Sequence, residues 1–342
     1  MVVILSYASP TLQERQSHRQ VTGQPATSID RQATGCDQCK PGLAQGSRAA
    51  SPAAVGDAAW WSVDRRGQER RPSGRAPTSE HVPGRKSTTM SGRLQGKVAI
   101  ITGTASGQGR VAALRFAAEG CKIVGCDLNV AGAEETVRLV REAGGEMVSL
   151  QPCDLSDPEQ AQHVVELAVK TYGGFDILYN NAGTAWIAPI EQMTTRMWQD
   201  TLRSELDTVY YMCKAAWPHL VARGGGSIIN VGSVSAKFGS EDVPGLAHAA
   251  SKGAVIAMTR QLAAEGGKYG IRANTISPAL IRTPQTEWAI SSGALDGIMR
   301  KLMLKRVGTP EDVVLCAIYL ASDEASWVTG ADFAVDGGAS AF

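Results

Sequence analysis

The stretch of this chain best suited to chemistry is Thr102-Gly103-Thr104-Ala105-Ser106-Gly107-Gln108-Gly109. An apolar run, Val98-Ala99-Ile100-Ile101, leads into it, and a helical pattern, Val111 to Ala118, leads out. Its glycines let backbone N–H groups approach a ligand closely. Strand, glycine turn and helix N-terminus in that order make a cradle for a pyrophosphate, because exposed N–H groups and the helix dipole both favour negative charge. Those flanking elements set it apart from an ordinary glycine-rich loop. Asp127 ends the next apolar run, Lys122 to Cys126. A carboxylate there accepts hydrogen bonds from the hydroxyls of an adenosine ribose and repels a 2′-phosphate. No Arg or Lys stands among Thr104, Ala105 and Ser106 or directly after Asp127. NAD is therefore favoured over NADP.

The whole chain has 342 residues, with 34 Lys+Arg against 33 Asp+Glu and a formal net charge of +1. That balance argues against a general nucleic-acid binder. Residues 1–89 differ from the rest: they are rich in Arg, Gln, Ser, Gly, Ala and Pro and lack sustained apolar periodicity after Val2-Val3-Ile4-Leu5. Such a segment cannot bury enough apolar surface to offset its ordering entropy, and it is expected to be a disordered, low-complexity extension. Its acidic residues argue against an organelle transit peptide. An over-extended start, with Met90 as the working initiator, is the favoured explanation. Residues 90–342 are expected to form the functional domain. Of the seven cysteines, Cys36 and Cys39 form one C-x-x-C without a second pair or neighbouring histidines, so no metal site is expected. Cys121, Cys126, Cys153, Cys213 and Cys316 fall in apolar patterns and read as small buried hydrophobes of a reducing compartment. No run of about 18 apolar residues occurs, so a cytoplasmic protein without a membrane span is expected.

From Lys97 onward strand and helix patterns alternate, the signature of a parallel sheet covered on both faces. Strands are predicted at 98–101, 122–126, 147–150, 175–179, 227–231, 271–276 and 333–335. Helices are predicted at 111–118, 131–143, 158–172, 195–221, 249–265 and 310–321. Asp157 caps the helix that begins at Pro158. Pro218 is expected to kink or end the long helix 195–221. The fold class is α/β: a single doubly wound, Rossmann-like parallel sheet with helices on both faces.

At this point the motifs carry a resemblance. Thr102-Gly103-x-x-x-Gly107-x-Gly109, Asn180-Asn181-Ala182-Gly183, Ser233 after the fifth strand, Ala250-Ser251-Lys252, the stretch from Pro278 and Val335-Asp336-Gly337-Gly338 occur in register. Over residues 93–342 the chain resembles the short-chain dehydrogenase/reductase family. The resemblance implies a cofactor site made by Gly103, Ser106, Gly107, Gln108, Gly109, Asp127, Asp154, Leu155, Asn181, Ala182, Gly183, Lys252, Pro278, Ile281 and Thr283. Asp154 falls at the adenine edge, where Leu155 packs. Thr283 falls where the family hydrogen-bonds the nicotinamide amide. The resemblance also implies a homodimer or homotetramer, with Tyr210, Tyr211, Met212 and Trp217 as candidates for its surface.

The reaction centre departs from the family pattern. The family's proton-carrying tyrosine stands four residues before its lysine; here that residue is His248. The family's helix asparagine corresponds to Glu205. Ser233 and Lys252 match. Imidazole suits acid–base work near neutrality. His248 is thus the candidate proton-transfer residue, Ser233 holds the substrate oxygen, and Lys252 holds the nicotinamide ribose. The Lys252 charge disfavours a second cation on His248, and a neutral histidine is a base. Glu205 either pairs with Lys252 or carries protons onward. The expected activity is NAD-dependent hydride transfer between nicotinamide and a secondary alcohol or ketone. The alternatives are an NAD-binding protein with little or no turnover, in a sensor or assembly role, and a cofactor-assisted lyase or epimerase. The segment 284–303, with Trp288, Leu302 and Met303, falls where the family carries a mobile lid and suits an apolar substrate, as do Trp186 and Met193.

Overall fold

The computed structural model describes residues 92–341 apart from 242 and 294. The expectations for residues 1–89, including the Cys36–Cys39 pair and the start at Met90, lie outside the described residues. Seven strands, β1 (Val98–Thr102), β2 (Lys122–Cys126), β3 (Met147–Leu150), β4 (Ile177–Asn180), β5 (Gly226–Val231), β6 (Ile271–Pro278) and β7 (Asp332–Val335), form one sheet. Their order is β3-β2-β1-β4-β5-β6-β7 and every pair is parallel. The sheet is buried on both faces, which is why its central strands are continuous apolar runs rather than alternating ones.

Successive side chains of β1 enter two different cores. Ala99 and Ile101 join Phe116, Ile123, Val313 and Ile318 on one face. Val98 and Ile100 join Val124, Val164, Met212 and Val255 on the other. Each fully buried Ile, Leu or Phe contributes roughly 1.5–3 kcal/mol relative to exposure. The first face is covered by α1 (Gly107–Ala118) and α2 (Val130–Glu142) with the later helix 310–321; the second by α3 (Pro158–Tyr172) and helices that follow β4 and β5. Asp157 accepts the Glu159 N–H at the start of α3, as its position before Pro158 predicts.

Two expectations need correction. The predicted helix 195–221 is three pieces: α4 (Thr195–Leu202), a π turn over Arg203–Asp207, and α5 (Thr208–Arg223). The irregularity lies at the π turn, not at Pro218, which stays inside α5. Pro218 is exposed, so its ring and its missing N–H fall on the solvent side, where a helix can bow away from the core. The second correction concerns the helix predicted from Ala249, here α6 (Leu246–Gly266). Its first turn already includes His248, which is a helical residue rather than a loop one. Two short helices, α7 (Glu287–Ser291) and α8 (Asp296–Lys301), occupy the segment 284–303, and α9 (Pro310–Ala321) follows them.

Among the residues expected to offer an oligomer surface, Met212 is fully buried core, while Tyr210 is 46% exposed. Within the segment 284–303 Leu302 is buried, and Trp288 and Met303 are 44% and 51% exposed. Cys121, Cys126, Cys153 and Cys213 are buried free thiols, and Cys316 is half-buried. Among the described residues no helix is long and apolar enough to cross a membrane.

Candidate active site

The strand order reverses at β1 and β4, and the loops leaving their C-terminal ends diverge into a crevice. Gly103 and Gly107 have φ of 74° and 52°, a left-handed conformation that side chains disfavour. A methyl group on Gly109 would run into the Gly103 carbonyl and come within 2.8 Å of Asn181 Nδ2. One on Gly107 would meet Thr283 Cγ2 at 3.3 Å, so Thr283 lies directly across from the glycine turn. Ser106 is the N-cap of α1, and its hydroxyl makes no capping bond. Gln108 Oε1 is buried without a hydrogen-bond partner.

Asp127 braces this turn: its Oδ2 accepts the Ala105 N–H and its Oδ1 the Asn129 N–H, both at 2.8 Å. Asp154 is exposed and accepts the Ser156 N–H at 2.9 Å, while Leu155 packs in the core. Asn181 donates from its backbone to Thr102 Oγ1 and from its amide to the Thr102 carbonyl, both at 3.0 Å. The Ala182 N–H also donates to Thr102 Oγ1, at 2.9 Å. Pro278 ends β6, and Ile281 and Thr283 follow it, both buried. The arrangement fits a dinucleotide: a cradle closed to side chains, an unpaired buried amide oxygen at its rim, and a carboxylate at the end of β2.

One residue of the glycine motif has a further part, and one contributor, Arg110, escaped the sequence reading. Thr102 ties the end of β1 to the end of β4. Arg110 donates to the carbonyls of Ala105 and Gly132 and, at 2.9 Å, to Thr136 Oγ1, and so locks the back of the glycine turn. Of the Arg110 partners, Gly132 and Thr136 are remote in the chain, and no local pattern marks them.

The second half of the site lies where β5, the π turn and α6 meet. Ser233 follows β5. His248 and Lys252, one helical turn apart, share a face of α6. Glu205 projects from the π turn. His248 Nδ1 lies 2.9 Å from both Glu205 oxygens, and its Nε2 lies 3.2 Å from Ser233 Oγ. Lys252 Nζ donates to the Val231 carbonyl at 3.0 Å and stands 3.8 Å from Glu205 Oε1. Ser251, unsuspected from the sequence, donates to Glu205 Oε2 at 2.5 Å. Its place directly before Lys252 and three residues after His248 was the available signal. Gly183 brings β4's loop past this cluster: a side chain there would sit 3.5 Å from Glu205 Cγ and 3.7 Å from Lys252 Nζ. The structure thus places Glu205 in direct contact with His248, with Lys252 the more distant partner. The carboxylate, not the lysine, is the charged group nearest the imidazole.

Burial opposes a charged Glu205, but the Lys252 charge, then His248 and Ser251, outweigh it and hold the carboxyl below its usual range. A carboxylate with a lowered folded pKa adds stability that is fully present above its unfolded pKa of about 4.3 and is lost as pH falls through the folded value. Glu205→Gln should therefore lose stability relative to the parent at pH 7, and the gap should close at more acid pH. Urea midpoints measured from pH 7 downward check this; a gap that widens toward acid contradicts it.

A sequence profile for the family described as "Enoyl-(Acyl carrier protein) reductase" matches residues 103–340. D-threitol dehydrogenase of Mycolicibacterium smegmatis is 36% identical over 248 residues, covering 72% of this chain and 94% of that protein. The 3-oxoacyl-[acyl-carrier-protein] reductase of Thermotoga maritima is 37% identical over 249 residues, covering 72% and 98%. The crystal structure of a short-chain dehydrogenase/reductase from Burkholderia xenovorans superposes with TM-score 0.70 at 34% identity, covering 73% and 99%. A 7α-hydroxysteroid dehydrogenase complexed with NADH and 7-oxo glycochenodeoxycholic acid superposes with TM-score 0.69 at 29% identity, covering 72% and 95%. Sequence, sheet order and crevice agree, and the chain belongs to the short-chain dehydrogenase/reductase family.

Proposed function

We propose that this chain is an NAD-dependent oxidoreductase acting on a secondary alcohol or ketone, with His248 as its proton-transfer residue. The observation that carries the reading is the hydrogen-bonded line from Ser233 through His248 to Glu205, beside Lys252. Bound NAD supplies the hydride acceptor. Ser233 Oγ orients the substrate oxygen. With the carboxylate at Nδ1, that nitrogen carries the ring hydrogen and Nε2 presents its lone pair toward Ser233. His248 Nε2 takes the alcohol proton, and Glu205 stabilises the imidazolium so formed. Lys252 offsets the Glu205 charge and is placed, by family resemblance, to hold the ribose. D-threitol dehydrogenase and the steroid dehydrogenase are named for alcohol substrates, which supports the reaction class. The family resemblance supports a homodimer or homotetramer.

The test is a panel of secondary alcohols offered with NAD or NADP, read by absorbance of the reduced cofactor. Turnover faster with NAD is the expected result. Tight NADH binding with no turnover across the panel would replace this reading with a binding role. Asp127→Asn keeps an acceptor for one of the two backbone N–H groups but removes the charge. Its preference for NAD over NADP should fall by about ten-fold, equivalent to about 1.4 kcal/mol; an unchanged ratio of kcat/KM values removes Asp127 as the discriminator.

A further inference from the structure

We propose that Ser233, His248 and Glu205 also form a serine acyl-transfer centre, which gives the chain a second, cofactor-independent activity toward small, uncharged activated esters. Nucleophilic serine chemistry needs a hydroxyl within reach of a base, and a base whose tautomer and orientation are fixed by an acid. Those roles are recognised by geometry rather than by order in the chain. Here the hydroxyl is 3.2 Å from Nε2, and Nδ1 is 2.9 Å from the acid. The acid is itself fixed by Ser251 at 2.5 Å and is 4% exposed. His248 and Glu205 come from helical backbone, so neither depends on a free loop for its position. Ser233 leaves β5 in an extended conformation and caps a short turn, its Oγ accepting the Ser235 N–H at 3.1 Å. That bond fixes the hydroxyl oxygen and leaves its own hydrogen for His248. The His248 side chain is 23% exposed, so the line opens to solvent at the imidazole.

The chemistry closes without an oxidant or reductant. Ser233 Oγ attacks the ester carbonyl carbon as its proton passes to His248 Nε2. The tetrahedral adduct collapses by cleavage of the bond to the alcohol oxygen, which leaves with that proton. Water, deprotonated by the same nitrogen, then attacks acyl-Ser233, releases the carboxylic acid and restores the hydroxyl. A good leaving group such as 4-nitrophenolate lowers the need for oxyanion stabilisation, so activated esters are the fitting substrates.

The experiment mixes the full-length, cofactor-free chain with 4-nitrophenyl acetate. The expected result is a burst of about one nitrophenolate per chain, followed by slower release, as an accumulating acyl-enzyme requires. Peptide mass mapping should place one acetyl group on Ser233. Ser233→Ala should abolish the burst. Glu205→Gln should slow it at least ~100-fold, with Glu205→Asp recovering part of the rate, which a purely structural role would not give. Circular dichroism checks that each variant folds, and the acetyl position in the parent chain needs no variant. Absence of a burst, a burst that survives in folded Ser233→Ala, or acetylation only at other residues overturns the proposal. No nicotinamide enters this assay. Alcohol turnover without a burst therefore defeats only the acyl-transfer proposal, and a burst without alcohol turnover defeats only the oxidoreductase reading.

Discussion

His248→Ala should lower kcat on the best alcohol of the panel by about 10²–10⁴-fold, the range for removing a positioned general base, equivalent to roughly 3–5 kcal/mol of barrier. The loss should fall on kcat rather than on the KM for NAD, because His248 faces Ser233 and Glu205 and not the glycine turn. Truncation also leaves Glu205 buried with only Lys252 and Ser251 as partners. His248→Gln is the informative companion. It can still accept near Ser233 but cannot carry a proton, so it should be nearly as slow as alanine. Steady-state kinetics with retained NADH binding decide the matter. Wild-type kcat in folded His248→Ala would end the proton-transfer assignment.

Gly109→Ala should be the most damaging single methyl group in the cofactor half. Its Cβ has no free volume: the Gly103 carbonyl occupies the space, with Asn181 Nδ2 at 2.8 Å behind it. Both obstacles are fixed, the first by backbone and the second by its bond to the Thr102 carbonyl. The first turn of α1 must therefore move away from β1, and with it the N–H groups of the cradle. The expected cost is about 1–3 kcal/mol of stability from overpacking, together with a loss of NADH affinity of about 100-fold, as a misplaced positioning element gives. Denaturant unfolding and fluorescence titration measure the two. Gly267→Ala is the control. Gly267 has φ of −53° and nothing within 4 Å of an added Cβ. That variant should be neutral or slightly stabilising, so a matching loss there would show that the glycine turn is not special.

How much of this was legible in the chain differs between the two halves of the site. The cofactor half is local. Residues 102–127 run strand, turn, helix and strand, and each step has its own signal in glycine spacing and apolar periodicity. Accordingly β2 begins and ends where the pattern puts it, while α1 begins at Gly107 and not at the predicted 111, because the glycine turn itself enters the helix. The half around His248 is not local. Glu205, Ser233 and His248 come from three elements that meet only when β5 has joined the sheet. The family resemblance could point to these positions, but it could not say that Glu205 would reach the imidazole at 2.9 Å as well as pair with the lysine at 3.8 Å. Ser251 carried only the positional signal of standing between His248 and Lys252, since a serine in a helix more often points to solvent or to its own backbone. The π turn had no signal of its own, because a single widened turn leaves the apolar pattern on either side nearly intact.

That widened turn sets the direction in which Glu205 points. A π turn is an α-helix that has taken in one more residue than its pitch accommodates, and each residue of a regular helix turns it by about 100°. The segment from Arg203 to Asp207 therefore works as a phase shifter: it lets α4 and α5 each keep their own buried face while the carboxylate between them turns toward α6. Without the extra residue, α4 and α5 would run on as one regular helix, and the side chain at this position would face another direction. Which group stands beside the imidazole is then set as much by the count of residues in one helix as by which residue occupies any position.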